Sequence, residues 1–175
     1  MGARVRAVAT DARRTRAARR RCSGGLPAGR RPVYRVVMAN EALVQAVKSI
    51  VTHARGGNLD AAYRGYRDLF QKPEFLKHRP EDQRQVLRLM ILAKGVPSTP
   101  TEPMIEAHRA AVPALTELVS IHGDPGDHEL LGLCHVVLGN LESADKIFRA
   151  GLAIERERNP QSDLCGTLMK RISLL

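Results

Sequence analysis

The sequence predicts an all-α protein: a short stack of about three antiparallel helical hairpins followed by a C-terminal capping helix. From residue 42 onwards, apolar residues recur at helical spacing and do not alternate as in strands. Glycine or proline interrupts this pattern at intervals of about one helix length. Aromatic residues make up only 3% of the chain, so the core must depend on aliphatic side chains, which favours helices.

Residues 1–37 differ sharply in composition from the rest of the chain. They contain 11 Arg, no Lys and a single acidic residue, Asp11, so they account for the whole net charge of +10. Residues 38–175 hold 17 basic and 17 acidic residues and are neutral. Because residues 1–37 are Arg-rich and lack apolar periodicity, they are predicted to form a disordered tail.

Three explanations of this tail stay open: a nucleic-acid-binding arm, an organelle-targeting presequence, and an upstream extension of the gene model. The third is favoured because Met38 is the first Met after Met1, and helical patterning begins directly after it. The folded domain is therefore assigned to residues 38–175. A nucleic-acid-associated function through the Arg-rich arm is the alternative function, because clustered Arg side chains bind phosphates.

The first predicted hairpin follows Asn40, an expected N-cap. Apolar residues form a wide helical stripe over Ala42–Arg55. The sequence Gly56-Gly57-Asn58 then supplies a turn, because Gly and Asn tolerate the left-handed backbone conformation that ends a helix. A second helix follows at once and is expected to end near Pro73.

The middle hairpin is predicted to be long and irregular. Its first helix covers about residues 80–94 and ends at Gly95. Residues 99–102 resemble a capping box at the start of a helix that reaches about His122. Pro113 lies inside that helix, so a kink or a division into two shorter helices is expected.

The last hairpin is predicted to begin with Asp124 as N-cap and Pro125 at the first helical position. Gly139-Asn140 turns the chain, and Asn159-Pro160 ends the partner helix. Ser162 is expected to cap a short terminal helix. The inner stripe of the partner helix is predicted to be Leu141, Ala144, Ile147, Phe148, Gly151, Leu152 and Ile154.

Two segments of the chain repeat one pattern. Each has a Gly-Asn turn, then Ala five residues after the Gly and an aromatic residue nine after it. The small residue allows two helices to approach, and the aromatic ring fills the next gap. The first copy has Gly57, Asn58, Ala62 and Tyr66, and the second has Gly139, Asn140, Ala144 and Phe148.

This pattern resembles the tetratricopeptide repeat family, whose hairpins share the turn, the small residue and the aromatic. The second copy is similar also in Leu131 and Gly132, whereas the first has Ser49-Ile50 at those offsets. The two turn glycines lie about 14 residues further apart than two standard repeats would place them, so the middle unit is elongated. The resemblance covers residues 42–158 and implies a right-handed stack.

The resemblance implies a protein–protein interaction scaffold rather than an enzyme. In this family the first helix of each hairpin lines a concave groove that docks a peptide or helix of a partner protein. The alternative is that these side chains pack beneath the fourth or the terminal helix. The expected groove residues are Val44, Val47, Val51, Arg55, Glu129, Leu133, Val136 and Val137.

No catalytic residue, cofactor or metal is predicted. The sequence contains no glycine-rich phosphate loop and no nucleophile elbow. Cys134 and His135 are adjacent and so project about 100° apart on a helix, which leaves Cys134 as an expected buried, inert thiol. His128 and His135 are seven residues apart, unlike the i, i+4 pair of a helical metal site.

A cytoplasmic protein without a membrane partner is expected. Three cysteines, Cys22, Cys134 and Cys165, show no CxxC spacing, so neither a disulfide framework nor a zinc knuckle is indicated. No stretch approaches the roughly 18–20 apolar residues that span a bilayer. The partner's identity and the oligomeric state stay open, because the hairpins can close a monomer or dimerise through the terminal helix.

Overall fold

The computed structural model describes residues 41–93 and 99–175. These residues are helical, as predicted, and contain no strand. The predictions of a disordered tail, of Asn40 as N-cap and of Gly95 as a helix end fall outside the described residues. The helices are α1 (Glu41–Arg55), α2 (Leu59–Phe70), a 3-10 helix (Phe75–Lys77), α3 (Pro80–Ile91), α4 (Glu102–His122), α5 (Pro125–Val137), α6 (Leu141–Arg158) and α7 (Asp163–Ser173).

Two predicted N-caps, Asp124 and Ser162, are confirmed by their hydrogen bonds, and Asn58, which was predicted only as part of a turn, is a further N-cap. The side chain of Asn58 accepts from the backbone N–H of Ala61 at 3.1 Å and begins α2. Asp124 and Ser162 accept from backbone N–H groups in the same way, at 2.8 and 3.2 Å, and begin α5 and α7. Each cap satisfies a donor that the first turn of a helix leaves free. The turn glycine Gly57 has φ +80°, the conformation predicted for it.

The capping box predicted at the start of α4, with Thr99 three residues before Glu102, is wrong, because Thr101 occupies the N-cap position. Thr101 itself makes no capping hydrogen bond. Its hydroxyl instead donates to Oδ1 of Asp60 on α2 at 3.0 Å. A tertiary partner has therefore replaced the local one, which sequence spacing does not reveal.

Of the two alternatives expected at Pro113, a kink or a division into two helices, the division is excluded, because α4 is a single helix through this exposed residue. Two features of the middle of the chain differ from the prediction. α3 ends at Ile91, before the predicted end. The 3-10 helix was not predicted, and it buries Phe75, whose ring centroid lies 4.9 Å from that of Phe70.

The helices of the first and last predicted hairpins contact each other extensively, whereas α3 and α4, the predicted middle hairpin, contact each other only slightly. α1 packs on α2, α5 on α6, and α6 on α7. Across the middle of the chain, α4 packs mainly along α2 and α5, while α3 makes smaller contacts with α4 and α5. The buried side chains from α1 to α5 form one continuous core, and α6 and α7 enclose a second, smaller cluster.

Candidate functional site

The second repeat copy is built on the close approach of Gly132 and Phe148. A Cβ atom at Gly132 would overlap the ring of Phe148, so only glycine lets this ring lie on the backbone of α5. Phe148 and Ala144 are fully buried, and Leu131 is buried in the main core. The predicted stripe of α6 is wrong for Leu141, which is 45% exposed.

The first copy also has a glycine where its two helices approach closely, but at a different pair of positions, since Gly65 lies one residue before Tyr66, the counterpart of Phe148. Ile50 on α1 stands at the offset that Gly132 has in the second copy, and it faces Gly65 on α2. A Cβ atom at Gly65 would lie 2.8 Å from Cγ1 of Ile50, closer than real contacts of this kind. The small residue has therefore moved from the first helix to the second, and the departure at Ser49-Ile50 leaves the helix contact intact.

The predicted groove residues of α1 have unequal exposure. Val47 is buried in the main core, and Val51 is half-buried against it. Val44 is half-buried, whereas Arg55 at the end of the helix is exposed. Part of this predicted surface is therefore used for packing within the protein.

The predicted groove residues of α5 lie next to neighbouring helices. Leu133 and Val136 pack against the cluster between α6 and α7. Val137 packs against the main core. The carboxylate of Glu129 is held by Nη2 of Arg171 on α7 at 3.3 Å. In the described residues these side chains thus line a helix contact, the arrangement that the sequence left open as the alternative.

Sequence reasoning did not single out the outer face of α3, where the structure has an open depression of about 640 Å³. Leu89 and Leu92 are 40% and 44% exposed there, although Val86, Leu87 and Met90 on the same helix are buried in the core. Apolar residues occur nearly all round the second half of α3. Because a helix at the edge of a core buries only one side, this pattern indicates that some of these apolar residues are exposed. The lining residues are Glu81, Arg84, Gln85, Arg88, Leu89, Leu92 and Ala93.

An ion pair fixes α3 to α5 beneath this depression. Nε and Nη2 of Arg84 donate to the carboxylate of Asp127 at 2.9 and 2.8 Å. Asp127 is completely buried, and its hydrogen bonds raise the pKa of Arg84. Arg84 is therefore neutralised within the protein.

Arg88, one turn further along α3, has no ion-pair partner among the described residues. A Cβ atom at Gly126 would lie 3.0 Å from Nη2 of Arg88, so the guanidinium rests against the first turn of α5. Glu81, which is exposed, lies at the opposite end of the depression. The depression therefore has an apolar middle, one free cation at one end and one carboxylate at the other.

The surroundings of two buried titratable groups, Cys134 and His108, favour their uncharged forms. Burial raises the pKa of Cys134 to about 12, so this thiol stays protonated, in line with the prediction of a buried Cys134. Burial also lowers the pKa of His108, whose Nδ1 is hydrogen-bonded to the carbonyl of Met104 at 2.8 Å. Within residues 41–93 and 99–175, no group of three or more His, Cys, Asp or Glu is placed to hold a metal ion.

Comparisons of the chain with protein-family models, with curated proteins and with solved structures gave no match. Among the described helices, none combines the length and the apolar character that crossing a membrane requires.

Proposed function

We propose that this protein is a tetratricopeptide-like scaffold that docks a peptide or helix of another protein. The observation that carries the proposal is the depression on α3, where Leu89 and Leu92 lie side by side and exposed. Apolar side chains grouped beside charged ones are typical of surfaces that bind an amphipathic helix. In the repeat family that the sequence resembles, the first helix of the middle hairpin belongs to the ligand-binding side.

The helix contacts support the repeat interpretation. Both outer hairpins keep a glycine at the crossing of their two helices, Gly65 in one and Gly132 in the other. α3 and α7 each contact α5, as the first helices of successive hairpins would, whereas α1 and α3 make at most a minor contact among the described residues. Since Leu133 and Val136 pack against the α6–α7 cluster, the docking surface of the proposal is limited to α3.

A binding role fits this surface better than catalysis. The described residues that line the depression form no cluster of convergent polar groups around a reacting position, and repeat scaffolds rarely supply one. We also propose a cytoplasmic location, because Cys134 and Cys165 are free thiols in the structure, as a reducing compartment would keep them.

The proposal is tested by quantitative affinity purification from the native cell with full-length bait. The double variant Leu89→Glu/Leu92→Glu should lose the partner, because two carboxylates replace the exposed apolar contact. Ile121→Glu is the matched control, since Ile121 is 65% exposed on α4 and outside the depression. Equal recovery of the same protein with wild type, control and double variant would contradict docking on α3.

The alternative function, nucleic-acid association, is favoured by one observation, the net charge of +10 within residues 1–37. It predicts that full-length protein is retained on DNA or RNA with a steep dependence on salt, because Arg side chains release counterions from phosphates. Residues 38–175, which are neutral, should not be retained. Retention of both forms, or of neither, would contradict this alternative.

A further inference from the structure

Met169 on α7 is a methionine whose side chain is open to solvent. It is 46% exposed. Met90 and Met104, the other methionines in the part of the chain that the structure describes, are 1% and 5% exposed and lie in the main core. A dissolved oxidant reacts with a thioether only where it can reach the sulfur. Exposure therefore separates Met169 from the two core methionines.

Arg156 on α6 lies against the sulfur of Met169. Its Nη2 atom donates a weak hydrogen bond to Sδ of Met169 at 3.3 Å. Arg156 is exposed, and it forms no ion pair with a carboxylate of the described residues. Its guanidinium is thus available to a stronger acceptor than a thioether, and an acceptor at this position would connect α6 to α7.

The position of Met169 on α7 tolerates a polar group. Leu168 and Cys165 on the same helix are buried in the α6–α7 cluster, where a polar group would lose its contact with water. Met169 belongs to neither apolar cluster. A sulfoxide at this position therefore stays in contact with water, and α7 can keep its packing on α6.

We propose that Met169 is a site of oxidation by peroxides and that Arg156 holds the sulfoxide that forms. The sulfur attacks the hydroxyl oxygen of the peroxide, so that an S–O bond forms while the O–O bond breaks. The sulfur loses two electrons, and the proton of the attacked oxygen passes to the departing one, which leaves as water or an alcohol. The sulfoxide oxygen then accepts a charge-assisted hydrogen bond from Nη2 of Arg156. This modification is independent of partner docking on α3.

The site is tested by treating full-length protein with hydrogen peroxide and following each methionine-containing peptide by mass spectrometry. Met169 should gain an oxygen atom at least about tenfold faster than Met90 or Met104, because a core thioether meets the oxidant only when the helices open locally. Oxidation of either core methionine as fast as that of Met169 would overturn the proposal.

The role of Arg156 is tested by amide hydrogen exchange in α7, measured before and after oxidation. Thiols are first restored with dithiothreitol, which leaves sulfoxides intact. After oxidation, α7 of the wild type should exchange about two- to fivefold more slowly than α7 of Arg156→Gln, the effect typical of an exposed charged contact. Before oxidation the two proteins should exchange nearly alike. A difference that oxidation does not change would show that Arg156 does not hold the sulfoxide.

Two further variants are the controls for this comparison. Met169→Leu cannot form a sulfoxide, so peroxide should leave the exchange of its α7 unchanged. Arg149→Gln removes a positive charge from the same helix, at a residue that pairs with Asp145. Its α7 should exchange as in the wild type, oxidised or not. An effect of peroxide on Met169→Leu equal to that on the wild type would also overturn the proposal.

Discussion

The crossing of each outer hairpin depends on one glycine and one large side chain. In the second hairpin the glycine is on the first helix, Gly132, and the ring of Phe148 fills the space above it. In the first hairpin the glycine is on the second helix, Gly65, and Ile50 fills the space. What the two copies share is therefore the close approach of the helices. In each copy one helix carries the glycine and the other carries the large side chain.

Gly132→Ala should lower the free energy of unfolding by about 1–3 kcal/mol, the usual cost of overpacking a core. The new methyl group would overlap the fully buried ring of Phe148, which can move only by displacing its own neighbours. Urea unfolding followed by circular dichroism measures the change.

Gly166→Ala is the matched control for that measurement. A Cβ atom at Gly166 on α7 would meet no atom within 4 Å. Alanine also has the higher helix propensity, so this variant should be as stable as wild type or more stable. Destabilisation of both variants by the same amount would show that the contact with Phe148 is not the cause.

Among the helices, ion pairs add to the apolar packing of α3 and α7. α3 buries Val86, Leu87 and Met90 in the main core, and Arg84 joins it to the buried carboxylate of Asp127. Arg171 joins α7 to Glu129 in the same manner, at a less buried position. These pairs orient α3 and α7 against α5, and the α3 pair lies directly beneath the proposed docking surface.

Asp127→Asn should destabilise the protein by about 3 kcal/mol, the lower end of the range for breaking a buried ion pair. The lower end is expected because the side chain of Arg84 is 18% exposed and water can solvate part of its charge. Thermal or urea unfolding provides the measurement. The control is Glu142→Gln, which removes the exposed pair with Lys146 and should change stability by at most about 0.5 kcal/mol. A similar loss in both variants would argue against a special role for Asp127.

In the molecule as a whole, the neutral charge of residues 38–175 leaves apolar packing as the main source of stability. That packing is divided between the main core and the α6–α7 cluster, which contains Leu168 and Cys165 of α7. Because α7 shares this cluster with α5 and α6, it belongs to the folded unit, and the last hairpin depends on it for covering Leu133 and Val136.

Leu168→Ala should cost about 2–4 kcal/mol, because Leu168 is completely buried and its removal leaves a cavity beside α6. If α7 folds with the rest, the whole transition in urea shifts as one cooperative step. Met169→Ala, at a neighbouring position that is 46% exposed, should cost less than about 1 kcal/mol. If Leu168→Ala unfolds α7 at lower urea concentration while the main transition is unchanged, the terminal helix unfolds separately.

Local chemistry made much of the fold predictable. Asn58, Asp124 and Ser162 cap helices as their side chains suggest, and Gly57 and Gly139 have the positive φ that their turns require. These features depend on interactions within a few residues of the chain, so spacing is enough to reveal them. Spacing does not reveal the hydrogen bonding of Thr101 and Asn140. The hydroxyl of Thr101 bonds to Asp60 on α2, and the side chain of Asn140 makes no capping hydrogen bond.

Packing between helices set which apolar residues are available to a partner. Periodicity identified Val47, Leu133 and Leu89 alike as apolar helix residues, but it could not say how many neighbours cover each helix. In the structure Val47 is in the core and Leu133 packs beside α7, while Leu89 on the edge helix α3 is exposed. The sequence alone sets the capped starts of α5 and α7, the repeated turn and the neutral charge of residues 38–175, because these are local or additive. Exposure depends on the neighbours that each helix acquires when the chain folds.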